Sequence, residues 1–222
     1  MKINIKELIN FFDDKKDSNK GDPNALIAMF GEELNASVFN HFRNNKLEIL
    51  GESVLPGTNK GNRLDRWIVD KKNKILFQCE IKNWAATAIG GKQLKLNCSE
   101  EKLKEVINYH CKHQLKDCFY SRKQPNSVTK VLLKMKPPQK YENHIIRPLF
   151  IYWMPISFNG INSLSKISLK DFNFPFKTVF EELDIFSVSL YLRDLYKKGI
   201  KNIDLEMPIL EHRIKLLKLV IK

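Results

Sequence analysis

Two apolar runs separated by a short polar segment dominate the stretch from residue 62 to residue 84. Residues 64–69 and 75–84 are rich in β-branched and aromatic side chains, whereas residues 70–74 have the composition of a turn. This pattern predicts a β-hairpin around which the rest of the chain is arranged. Period-two alternation assigns five apolar residues to its core-facing side, namely Leu64, Ile68, Phe77, Cys79 and Ile81.

The predicted hairpin also brings charged residues together. A four-residue loop that ends at Lys74 sets Asp65 opposite Glu80 and Arg63 opposite Lys82. Two carboxylates directly across an antiparallel pair have Cβ atoms about 5 Å apart and repel each other. A divalent cation such as Mg²⁺ would offset this repulsion, because it takes carboxylate ligands, keeps several waters and binds phosphate oxygens. An ammonium group beside such a site can orient a water molecule or offset developing negative charge during phosphodiester hydrolysis.

The arrangement of Asp65 upstream of a strand with the pattern Glu80-x-Lys82, preceded by a helix with acidic residues, resembles the PD-(D/E)XK nuclease superfamily. The resemblance covers about residues 23–118 and departs from the motif at Leu64, where the family has proline. It implies a restriction-endonuclease-like α/β fold, with a mixed sheet of about five strands flanked by helices. It also implies DNA hydrolysis with Mg²⁺ or Mn²⁺, in which Asp65 and Glu80 hold the metal and Lys82 positions the attacking water.

A helix predicted from about residue 24 carries the acidic pair Glu32 and Glu33. On a helical wheel Glu33 flanks the apolar stripe and is expected to reach toward the hairpin as a metal ligand, whereas Glu32 points away. Comparison with family helices of the form Gly-Glu-x-Leu favours Glu32 instead. Solvation of both carboxylates is the alternative interpretation. The stripe itself consists of Ile27, Phe30, Leu34 and Val38.

The remaining apolar pattern predicts one domain over residues 1–222, with a core at about 23–156 and a helical C-terminal extension at about 176–222. Further strands are predicted at 47–55, 128–135 and 147–155. Further helices are predicted at 4–12, from Ser99 to about 115, at 183–198 and from Pro208 onward. The apolar stripe of the last helix favours intramolecular packing, with a homodimer contact or a DNA-facing side as alternatives, and comprises Leu210, Ile214, Leu217 and Ile221.

A net charge of +13 indicates a polyanionic partner, with DNA as the expected substrate and RNA as the alternative. Lys60 and Arg63, which flank the end of a glycine-rich loop, are expected to contact phosphate. Gln78, on the same strand face as Glu80, is expected to shape the site and contact nucleic acid. We expect no membrane partner and a cytoplasmic location, because no apolar run reaches the length of a spanning helix and the N-terminus lacks a signal-peptide core. The four cysteines form no C-x-x-C pair, which is typical of reduced thiols.

Two other functions compete with the nuclease. One is a module of the same fold that binds nucleic acid without cutting it. The other is a protein-interaction domain whose C-terminal helices bind a partner and whose basic charge serves solubility.

Overall fold

A computed structural model describes residues 1–14, 22–50, 53–54, 63–82, 99–109, 129–153, 162–170, 172–174 and 177–220. The helices are α1 Ile5–Asp14, α2 Asp22–Phe42, α3 Glu100–Tyr109, α4 Val188–Lys197 and α5 Pro208–Val220. The strands are β1 Lys2–Asn4, β2 Glu48–Ile49, β3 Ser53–Val54, β4 Arg63–Leu64, β5 Arg66–Asp70, β6 Ile75–Lys82, β7 Ile145–Tyr152, β8 Leu164–Ser168, β9 Glu182–Ser187 and β10 Asn202–Asp204. The protein is therefore a mixed α/β structure.

Six strands form the main sheet in the order β2-β5-β6-β7-β9-β8. Strand β7 is parallel to both of its neighbours, β6 and β9. The pairs β2-β5, β5-β6 and β8-β9 are antiparallel. Two further sheets have two strands each, β1 with β10 and β3 with β4. The mixed α/β class is confirmed, with one strand more than the five expected. No helix within the described ranges is long and apolar enough to cross a membrane.

The predicted hairpin is present as β5 and β6, joined by a turn at residues 71–74. Its register runs from Asp70 opposite Ile75 to Arg66 opposite Cys79, as expected. The Asp70 carboxylate stabilises the turn, since it accepts hydrogen bonds from the backbone and side-chain nitrogens of Asn73 at 3.0 and 2.7 Å. Burial alone would raise the pKa of Asp70, but these bonds and the nearby Arg43 guanidinium hold it below its usual value.

The predicted partner of Arg63 is wrong. The chain bends at Asp65, so that β4 leaves the hairpin and pairs with β3, with Arg63 opposite Val54 instead of Lys82. The same bend moves Leu64 to the other side of the sheet, where it packs with Trp67 and other residues of a smaller apolar cluster. The other four apolar residues assigned to the core side do lie in the main core, namely Ile68, Phe77, Cys79 and Ile81.

The main core lies between the sheet and helices α1, α2 and α4. Its centre is aromatic, because Phe39 of α2 packs edge-on against Phe77 of β6 and Phe186 of β9, with ring centroids 5.7 and 5.1 Å apart. Helix α2 thereby runs along β5. Glu32 of α2 lies near Arg66 at the start of β5, and Arg43, which follows α2, lies near Asp70 at the end of β5. The smaller cluster covers the opposite face of β5 and β6.

Three element predictions need correction. Residues 128–135 were expected to form a strand, but Thr129–Leu132 is a 3-10 turn followed by irregular backbone. The strand expected at 47–55 is divided between β2 and β3, which belong to different sheets. The helix expected from residue 183 begins only at Val188, because Glu182–Ser187 is a buried strand between β7 and β8.

Local helix signals were predicted correctly. Ser99 Oγ accepts a hydrogen bond from the Lys102 amide at 3.2 Å and so caps α3. Helix α4 ends before Gly199, whose φ of +83° terminates the helix in the left-handed region, and α5 begins at Pro208. Leu217, predicted on the packed stripe of α5, is 48% exposed, so only the first half of that helix packs on the domain.

Candidate functional site

Asp65 occupies the bend between β4 and β5, one residue beyond the last paired position of β5. Its Oδ2 accepts a hydrogen bond from the backbone nitrogen of Ile81 at 2.7 Å. The carboxylate therefore replaces the backbone acceptor that β5 would offer to the Ile81 amide of β6 if its ladder continued. As a result Asp65 is held against the residue that lies between Glu80 and Lys82.

Glu80 and Lys82 are two residues apart on β6, so their side chains project from the same face. The Glu80 side chain is fully buried, and its Oε1 accepts a hydrogen bond from Lys82 Nζ at 2.5 Å. The Lys82 side chain keeps 27% of its surface exposed. The Lys82 ammonium is thus bonded to a buried carboxylate while its side chain remains partly accessible to solvent.

Negative charge is concentrated around the end of β6. The thiol of Cys79 is buried next to Glu80 in sequence, and its pKa responds to this charge. Burial raises the pKa of this thiol well above its usual range, and the carboxylates of Asp65, Asp184 and Glu80 raise it further. Cys79 is therefore a buried core thiol that stays protonated.

Arg66 connects the hairpin to helix α2 and was not anticipated from the sequence. Its guanidinium lies 3.7 Å from the Glu32 carboxylate and donates a hydrogen bond to the Asp65 backbone oxygen at 2.8 Å. Because Arg66 pairs with Cys79, it faces α2, whereas Glu80 projects from the other side of the sheet. Asp65 is therefore fixed at two points, with its backbone oxygen bonded to Arg66 and its carboxylate bonded to the Ile81 amide. The sequence could have indicated this contact only indirectly, because strand alternation puts Arg66 on the core-facing side where α2 packs.

The expected direction of Glu33 is wrong. Glu33 is 8% exposed, and its two carboxylate oxygens accept hydrogen bonds from the backbone nitrogens of Ile209 and Leu210 at 2.8 and 2.7 Å. It thus caps the N-terminus of α5 instead of reaching the hairpin. Glu32 is the residue of the pair that approaches Asp65, through Arg66. The helical wheel failed here because the surface covering that side of α2 comes from the distant helix α5.

Gln78 also differs from expectation. It is fully buried, its Nε2 donates to the carbonyl oxygens of Val131 and Leu133 at 2.6 Å each, and its Oε1 accepts from the Met135 nitrogen at 3.1 Å. A side chain bonded in this way anchors residues 131–135 and is inaccessible to nucleic acid. Of the other expected phosphate contacts, Arg63 lies on β4 and Lys60 lies outside the described residues.

The donor set at the end of β6 fits a hard divalent cation. Within the described ranges no group of three or more His, Cys, Asp or Glu side chains is arranged to hold a metal ion. Mg²⁺ needs fewer protein ligands than that, since it is commonly bound by one or two carboxylates together with water and phosphate oxygens. Asp65 and Glu80 are the candidate pair, since Asp65 is hydrogen-bonded to the amide of Ile81, the residue after Glu80.

Comparison with known proteins gives no match to a family model, to a curated protein or to a solved structure. A chemical assignment for this chain therefore depends on the residues and contacts described above.

Proposed function

We propose that the protein is a metal-dependent nuclease of the restriction-endonuclease-like fold that hydrolyses phosphodiester bonds of DNA. The observation that carries the proposal is the Asp65 carboxylate, which is bonded to Ile81 between Glu80 and Lys82. Two acidic side chains and an ammonium then share one strand end. Such a set matches what phosphodiester hydrolysis requires of a protein.

Asp65 and Glu80 would hold Mg²⁺ or Mn²⁺. When bound, the ion polarises a phosphate oxygen and lowers the pKa of its water. Lys82 donates a hydrogen bond to Glu80 and is partly exposed, which suits a group that orients the attacking water or offsets charge on phosphate. Arg66 bonds the backbone of Asp65 and is in turn held by Glu32, so Glu32 is the helix-borne candidate and would act by positioning Asp65 through Arg66.

The charge of the whole chain supports a nucleic-acid substrate. A net charge of +13 favours association with phosphate backbones, whereas buried carboxylates facing phosphate bring nothing to a protein that only binds. These two features together favour cleavage of DNA over simple binding.

The proposal is tested by incubating the purified protein with plasmid and linear DNA in Mg²⁺ or Mn²⁺. Wild type should cleave and a chelator should abolish cleavage. Asp65→Asn, Glu80→Gln and Lys82→Gln should each lower the single-turnover rate by about a hundredfold or more. Asparagine at position 65 retains an oxygen for the Ile81 amide, so loss of activity there reports on charge and not on a lost backbone contact.

Asp194→Asn and Lys198→Gln are matched controls, because these two residues form an exposed ion pair on α4 at 2.7 Å. Both controls should cleave at the wild-type rate. Failure of the wild type to cleave DNA or RNA with either metal would reject the nuclease. DNA binding without cleavage would instead identify the non-cutting module.

A further inference from the structure

A pocket of about 250 Å³ lies beside the first residues of β7 and β9. Its residue Asp184 aligns with Leu149 of β7 and Cys79 of β6, one position before Glu80 along the strands. The volume is just below the usual range for small-molecule sites, about 300–1,000 Å³. Its lining combines four apolar residues, namely Ile146, Pro148, Val179 and Phe180, with four charged residues, namely Arg147, Glu181, Glu182 and Asp184.

Asp184 is the unusual residue of this pocket. It is 6% exposed, yet in the part of the chain that the structure describes its carboxylate forms no hydrogen bond and no ion pair. A buried carboxylate without a partner is destabilising, which makes it a candidate for a functional group. Burial raises the pKa of Asp184, and Lys166, directly opposite on β8, opposes this effect together with Arg147 and Arg43 without cancelling it.

Arg147 supplies the opposite charge on the same face. It lies on β7 two residues before Leu149, the residue paired with Asp184, so the two are diagonal neighbours on adjacent strands. Such neighbours are about 7–8 Å apart, within reach of an arginine side chain. Nevertheless, within the described ranges no ion pair joins Arg147 to Asp184.

The other acidic residues of the pocket are already compensated at its rim. Glu181 lies 3.6 Å from Lys170 and Glu182 lies 3.5 Å from Lys166, and all four side chains are at least half exposed. Asp184 and Arg147 are therefore the two charges of the lining that a ligand would engage. A ligand that satisfied both would carry a cation and an anion close together.

We propose that this pocket binds a small zwitterion of the α-amino-acid class with an apolar side chain. Its ammonium group would bond Asp184, and its carboxylate would bond the Arg147 guanidinium, which is suited to planar, two-point recognition of carboxylates. The apolar residues Val179 and Phe180 of the lining would cover the side chain. This site is independent of the proposed nuclease centre.

L-Leucine, leucinamide and N-acetyl-leucine are the probes, titrated into the full chain and followed by NMR of backbone amides 146–148 and 180–184. Wild type should bind leucine more tightly than either analogue, since leucinamide lacks the carboxylate and N-acetyl-leucine lacks the ammonium. Asp184→Asn should weaken leucine binding about tenfold or more, and Arg147→Gln should do the same. The exposed variant Asp194→Asn should bind like wild type.

Folding does not confound the test, because Asp184→Asn removes an uncompensated buried charge and should hold or raise the melting temperature. No saturable binding of leucine by wild type would overturn the proposal, as would binding that Asp184→Asn leaves unchanged. Leucinamide bound as tightly as leucine would show a site for cations alone and would likewise overturn it. Cleavage assays play no part in these outcomes.

Discussion

At the scale of single residues, the buried Gln78 side chain makes hydrogen bonds to a neighbouring backbone segment that a paired strand would otherwise make. Residues 131–135 lie against β6 without pairing to it as a strand, and their backbone groups are satisfied by the amide of Gln78. Buried backbone groups need such partners, because an unsatisfied one costs about 1–3 kcal/mol.

Replacing Gln78 with leucine should therefore lower the free energy of unfolding by about 3 kcal/mol, since it removes every one of these bonds while keeping a side chain of similar size. Denaturant unfolding measures the change. Gln139→Leu, on an exposed 3-10 turn of the same region, is the control and should shift stability little. A Gln78 variant as stable as wild type would show that residues 131–135 are anchored by other contacts.

Asp65 has a structural role at this scale in addition to the chemical role that we propose for it. Its carboxylate satisfies the Ile81 amide, so alanine at this position would leave a partly buried donor unbonded. A destabilised Asp65→Ala variant would therefore say nothing about catalysis. The asparagine variant separates the two roles, which is why it carries the test of the proposed nuclease.

At the scale of elements, the contact between α2 and α5 links two helices that are far apart in sequence. The N-terminus of α5 presents unpaired amides and a partial positive charge, and the Glu33 carboxylate satisfies two of these amides. The adjacent Glu32 faces Arg66. Successive glutamates of one helix thus serve a helix cap and the candidate site respectively.

Glu33→Ala should release the first turn of α5, so that hydrogen exchange at the amides of Ile209 and Leu210 becomes faster by roughly ten- to hundredfold. Glu33→Gln should have a smaller effect, because its remaining oxygen still accepts one bond. Glu211→Gln, in the same first turn and 3.7 Å from the N-terminal ammonium, is the control and should leave both amides protected.

The same variants distinguish a cap from a metal ligand. If Glu33 only caps α5, Glu33→Gln should keep most of the cleavage activity while Glu32→Gln loses more. Cleavage abolished by Glu33→Gln, with α5 still protected from exchange, would restore Glu33 as a participant in the chemistry.

At the scale of the whole molecule, the proposed association with DNA would depend on the net charge of +13 more than on any single contact. We expect DNA affinity, measured in chelator by fluorescence anisotropy, to fall linearly in a plot of log affinity against log salt, with a slope of about −0.9 per phosphate contacted. Lys82→Gln should reduce this slope by at most about one contact. A DNA affinity that does not change with salt concentration would show that the surplus of basic residues does not contact DNA phosphates.

The sequence by itself determined the features that depend on neighbours along the chain. The hairpin of β5 and β6 follows from alternation and a turn-forming segment, and its register from Asp70 to Arg66 was predicted. Ser99, Gly199 and Pro208 marked helix boundaries, because capping and backbone geometry are settled within one turn of a helix.

Only the tertiary structure decided the features that depend on distant segments. Glu182–Ser187 is a strand because β7 and β8 offer edges to it, although its sequence continues smoothly into helix α4. Glu33, instead of Glu32, points away from the hairpin, because α5, more than 170 residues later in the sequence, covers that side of α2. Asp184 and Arg147 share a pocket because β9 lies beside β7. Burial and long-range pairing outweigh local preference at these positions, since packing free energies exceed the small differences in intrinsic propensity.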